Sequence, residues 1–223
     1  MSFYRQLQEN TRTERERLLT APILDRCLRG AVTREEYVDF LTQAYHHVRH
    51  TVPLLMAAGS RFGIEHEWLR GAVADYIAEE YGHEAWVLAD IAAAGGDPQR
   101  ARLSRPLAAT ELLVSYAYDS VQRVHPICMF GMVQVLEGTS VTLASRAADA
   151  LQQALDLPDA AFTYLRSHGA LDQDHLAFFA RLMDQVTSIA EQAIVCHAAR
   201  MFYRLYGDIF RSLPRTPEDA PWN

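Results

Sequence analysis

The stretch ICMFGMVQVLEGTSVTLA, residues 127–144, carries a single formal charge in eighteen residues, the carboxylate of Glu137. Its apolar residues recur at three- and four-residue spacings on most sides, so it reads as a helix from Ile127 to about Leu155, closed by Pro158. A helix apolar on most sides belongs in the middle of a bundle. The rest of the chain supplies the other members, because the same spacings recur almost from end to end and no run alternates long enough to demand a strand. The reading is all-α: one bundle of about seven helices over residues 1–213, with the proline-rich tail PRTPEDAPWN (214–223) loose behind it.

The helix boundaries follow from capping and breaking residues. A first helix runs from Phe3 to about Thr20 and stops before Pro22. Thr33 stands three residues ahead of Glu36, the spacing of a capping box, and opens a second helix that must bend near Pro53. A third covers EHEWLRGAVADYIAEEYGHEAWVLADIAAAGG and is stopped by Gly95-Gly96; a fourth, LAATELLVSYAYDSVQRV, is punctuated by Pro126. Beyond the central helix come DAAFTYLRSHGALDQDHLAFFARLMDQV, with Gly169 able to kink it, and IAEQAIVCHAARMFYRLYGDIFRSL.

With 223 residues, 49% hydrophobic and 22% charged, the chain fits one domain with a buried core. A net charge of −7 without long like-charge runs offers nothing to nucleic acid. The N-terminal residues are charged throughout and no window approaches the ~20 apolar residues that span a bilayer, so a cytoplasmic protein without membrane attachment is expected. Cys27, Cys128 and Cys196 are widely spaced, which indicates neither a disulfide framework nor a cysteine zinc site.

Three groups of residues stand out chemically. In EEYGHEAW (79–86), Glu80 lies on the inward stripe with Val73, Tyr76 and Ile77, whereas Glu79 points about 100° away; His83 follows one turn later, so the pair reads either as a solvated face or as half of a metal site. Glu137 is costly in an apolar helix unless paired, protonated or metal-bound. In HGALDQDH, His168, Asp172 and His175 fall at i, i+4 and i+7, presenting imidazole, carboxylate and imidazole on one face. Three carboxylates and three imidazoles from three helices are what helical bundles use for two-metal carboxylate sites. Oxygen and nitrogen donors with open positions suit iron, with manganese or zinc able to enter on purification.

In that order, an inward Glu, a Glu on a central helix and H-x3-D-x2-H, the chain resembles the heme-oxygenase-like diiron oxidases, which share a fold with heme oxygenases, TenA proteins and PqqC. The resemblance covers nearly the whole chain. It implies a helical bundle, two irons of which the second is loosely held, O2 and a small carboxylate-bearing substrate such as a fatty acid or amino acid derivative, an electron donor, and a homodimer. Many members place the first histidine seven residues after the first Glu, where this chain has Val87; the Glu80-to-His83 version is similar to members that convert medium-chain fatty acids to terminal alkenes. In those, a further ligand comes from the preceding helix, here AYHHVRHTVPLL. His46 and His50 are i,i+4 and so share a face, with His47 displaced, and either ligation or a supporting role fits them. Arg49 is a candidate for a substrate carboxylate, and Phe130, Tyr164 and Tyr203 for the lining of a substrate pocket. The alternative is a metal-free TenA- or PqqC-like enzyme, or a small-molecule-binding protein of thiamin or quinone-cofactor metabolism, with Cys128 as the nucleophile of the TenA version. Heme oxygenase itself is disfavoured, since residues 1–20 hold no histidine.

Overall fold

The computed structural model describes residues 1–170 and 172–213, and their side chains apart from those of 168–170 and 172–175. The N-terminal chain folds as three short helices, α1 (Phe3–Asn10), α2 (Arg12–Leu19) and α3 (Pro22–Leu28). The division between α1 and α2 falls at Thr11, whose buried hydroxyl donates to the carbonyl of Leu7 at 2.7 Å and competes with the helical ladder there. α4 (Arg34–Val48) opens with the expected capping box: the Thr33 hydroxyl accepts from the Glu36 N–H at 3.2 Å, and the Glu36 carboxylate accepts from the Thr33 N–H at 2.8 Å. α5 (Thr51–Gly59) follows after a turn at residues 49–50. Pro53 therefore lies in the first turn of α5, where its missing N–H costs nothing.

α6 (Glu67–Glu80) and α7 (His83–Ala93) replace the single long helix expected from residue 65 onward. The joint is Tyr81-Gly82, with Tyr81 extended and Gly82 at φ +95°, a conformation that favours glycine. α8 (Pro98–Leu103) is capped by Asp97, and α9 (Ala108–Asp119) runs into a π-helical turn at Ser120–Val124 before Pro126. α10 (Cys128–Leu155) is the long central helix, ending at Asp156 in the left-handed region, as the sequence predicts to within a residue. α11 (Thr163–Ala170), α12 (Asp172–Asp184) and α13 (Ile189–Ser212) complete the bundle. Four of the expected long helices are each divided in two, so the described residues form more helices than the seven or so expected.

α10 packs chiefly against α13 and α11. Phe130, Phe162, Phe179 and Phe202 are fully buried around it, each contributing roughly 2–3 kcal/mol of apolar burial. Against α13 the contact is closed: a Cβ at Gly131 would stand 2.7 Å from both the Ala198 Cβ and the Ala199 backbone nitrogen. On its other side α10 leaves space, and the candidate site lies there. Among the described residues no helix is long and apolar enough to cross a membrane.

Candidate metal centre

Glu80 is the last residue of α6 and His83 the first of α7, so the two sit on either side of the Gly82 joint rather than one turn apart on one helix. They still meet: His83 Nδ1 lies 3.1 Å from Glu80 Oε2. With the proton on Nδ1, the ring donates to the carboxylate and Nε2 is the unprotonated nitrogen, the tautomer in which a carboxylate orients a metal-binding imidazole. The His83 ring is also stacked on Trp86, centroids 4.2 Å apart, and its side chain is buried.

Glu137 projects from α10 into a cavity that is also lined by Glu80, His47, Tyr76, Tyr164 and Tyr206. Two of the candidate carboxylates, from separate helices, are thus brought to one chamber whose remaining walls are mainly apolar. Tyr76 is 3% exposed, and its hydroxyl has no hydrogen-bond partner among the described residues. His168, Asp172 and His175 have side chains outside the described residues; His168 belongs to α11, and Asp172 and His175 to α12. Among the described residues, no three His, Cys, Asp or Glu side chains form a group able to hold an ion.

The histidines of α4 fall differently from the expected phase. His47 is the one that faces the cavity, its ring edge-on to Tyr206 at 5.8 Å. His46 and His50 do share a face, but it is the opposite one, where His46 Nε2 contacts the Ser104 hydroxyl at 2.9 Å and His50 Nδ1 the Tyr118 hydroxyl at 3.1 Å. Burial and the Arg49 charge lower the pKa of both. Arg49 is exposed over the ring of Tyr45 in that same outer cleft, not in the Glu80–Glu137 cavity.

The candidate substrate residues also separate. Phe130 is fully buried against Phe62 and lines neither cavity beside α10. Tyr203 bonds Gln134 and faces a third groove with Arg15. Tyr164 is placed where a substrate residue would be. It borders both the Glu80–Glu137 cavity and a second, apolar one, and Ser140 and Tyr206 border both as well. The one carboxylate in the apolar cavity, Glu36, is held by Arg26 through two bonds of 2.7 Å, which neutralises it.

One positioning contact has no counterpart in the sequence reading. Asp90 of α7 is fully buried and accepts from the backbone N–H of Tyr164 at 2.7 Å, capping the first turn of α11, the helix that carries His168. Burial, opposed by these bonds, pushes its carboxyl up to about 6. Asp90 follows His83 by seven residues on the same helix, a two-turn spacing that is the only sequence signal for it. For Tyr76 the signal was the stripe it shares with Glu80.

The donor set fits iron: carboxylates and imidazoles in a mainly apolar chamber, beside a buried hydroxyl that no described residue satisfies. A family model described as iron-containing redox enzyme matches residues 38–207. Among solved structures, a Shewanella denitrificans domain of unknown function with a heme oxygenase-like fold superposes with a TM-score of 0.85 at 22% identity, covering 96% of this chain and 92% of that one. A TenA homologue from Pseudomonas syringae superposes at 0.77 with 12% identity, over 94% and 90% of the two chains. Heme oxygenase-1 from Synechocystis, solved with heme, does so at 0.76 with 12% identity, over 96% and 92%. No curated protein matches the chain.

Proposed function

Because the chain belongs to the iron-containing redox enzyme family and has the heme oxygenase-like fold, we propose that it is a non-heme diiron oxidase that uses O2 to oxidise a small carboxylate-bearing substrate. The observation that carries this reading is the convergence of Glu80 and Glu137 on one cavity that shares a border with an apolar one. Glu80, His83 and Glu137 are the described residues that would hold the metals, joined by His168, Asp172 and His175, with His47 at the cavity wall. Ferrous iron bound there supplies electrons to O2 and positive charge against the carboxylates.

The chain's own residues account for the rest. The apolar cavity excludes water and accommodates an alkyl chain, which favours a fatty acid over a more polar amino acid derivative. Ser140, Tyr164 and Tyr206 stand at the border between the cavities and orient the substrate across it. An electron donor to restore the ferrous state and a homodimeric, cytoplasmic protein complete the proposal. The metal-free, TenA-like reading draws no support from Cys128: the thiol is buried, lines neither cavity, and burial raises its pKa when a nucleophile needs it lowered.

Anaerobic Fe(II) titration of protein stripped of manganese and zinc tests the proposal. About two equivalents should bind, the second more weakly, and exposure to O2 should consume it. A stoichiometry near zero that His175→Ala leaves unchanged would sink the assignment.

A further inference from the structure

Tyr76 has a hydroxyl that no described residue engages. The residue is 3% exposed, lines the cavity of Glu80 and Glu137, and its oxygen finds no hydrogen-bond partner among the described residues. Its ring packs without that oxygen, against Phe178 with centroids 5.9 Å apart and planes tilted by 59°. A buried hydroxyl without a partner destabilises a fold, and phenylalanine of the same shape removes the cost, so packing gives no reason for tyrosine here. A tyrosine phenol is a neutral O–H donor at neutral pH. A donor in a chamber whose charged groups are carboxylates complements an acceptor that a ligand brings.

Two acceptors suit such a donor, the carboxylate of an organic substrate and a small anion held by the metals. The adjoining apolar cavity favours the first, since its lining gives an alkyl tail a place to lie while the head reaches Tyr76. Resting on the oxidase reading above, we infer that the Tyr76 hydroxyl donates a hydrogen bond to the substrate carboxylate and fixes the head of the molecule beside Glu80 and Glu137. The orphan donor is then a binding group awaiting its partner.

Wild type and Tyr76→Phe, loaded anaerobically with Fe(II) and assayed for iron, are titrated calorimetrically with octanoate and with azide, and the metal-free forms are melted. The expected result is equal iron content, octanoate bound about tenfold more weakly by the variant, azide affinity unchanged, and a metal-free melting temperature no lower than that of the wild type. Unchanged octanoate affinity at equal iron content overturns the inference. Loss of azide affinity with octanoate unaffected assigns the hydroxyl to a small anion instead and overturns it as well. A lower melting temperature for metal-free Tyr76→Phe shows that the oxygen serves the fold, with the same consequence. Absence of iron from both proteins fails the oxidase reading itself, and the iron assay separates that failure from the others.

Discussion

Two glycines seven residues apart on the central helix mark two different kinds of packing. At Gly131 a Cβ would meet Ala198 and Ala199 of α13 at 2.7 Å, and the opposing atoms include backbone that cannot swing away. At Gly138 the same atom would meet the Gln134 amide nitrogen at 3.5 Å and the Tyr203 hydroxyl at 3.9 Å, both ordinary contacts. The first position is closed by the fold; the second borders the groove of Tyr203 and Arg15, where the structure keeps room. The candidate cavity follows another face of the same helix, from Met129 to Ser140, so the requirements on its residues change from face to face.

The largest expected effect comes from breaking the closed position. Gly131→Ala should destabilise the protein by about 3 kcal/mol, because overpacking against backbone outweighs the better helix propensity of alanine. Chemical denaturation of the metal-free protein measures it, and an unchanged midpoint would show that α10 and α13 are not in the contact described. Glu137→Gln probes the open part. It keeps the side-chain shape, so the metal-free protein should melt within ~0.5 kcal/mol of the wild type, while Fe(II) binding and O2 uptake collapse. Normal iron loading and normal uptake in the same preparation would remove Glu137 from the site.

Asp90 gives a smaller effect that depends on pH. Its carboxyl is raised from 3.8 to about 6 by burial, so between those values the folded state binds a proton that the unfolded state has released. Its contribution to stability is thus most favourable below the lower value and is lost as pH rises through the upper one. Wild-type stability relative to Asp90→Asn should fall across that window and level off above it; parallel curves for the two proteins would contradict the shift. The smallest effect is expected at Gly138→Ala, which should stabilise by up to about 1 kcal/mol through helix propensity alone. A loss there comparable to that at Gly131 would erase the distinction between the two positions.

The closed, apolar part of this molecule was legible in the sequence, and the open part was legible in its residue types but not in their directions. The central helix, the Thr33–Glu36 capping box and the stop at Pro158 each rest on a local rule that tertiary contacts did not override. The division at Tyr81-Gly82 was not foreseen, because a lone glycine in a helical pattern is tolerated as often as it breaks the helix, and only its positive φ decides. The phase of the α4 histidines failed for a different reason. Gln43 through Val48 are all buried, so that stretch has no solvated face from which to count, and His47 rather than His46 and His50 turned to the cavity. Arg49 looked suited to a carboxylate by chemistry alone; its direction depended on the same phase.

The joint at Gly82 changes what sets the distance between Glu80 and His83. Within a continuous helix that distance is dictated by a rise of ~1.5 Å per residue and admits no adjustment short of unwinding. Here each donor is fixed to the end of its own helix, and the span between them follows from the backbone torsions of Tyr81 and Gly82. The pair works as the jaws of a caliper with its screw at the glycine, so the contact between carboxylate and imidazole is a tunable length, set by a position that bears no chemistry of its own.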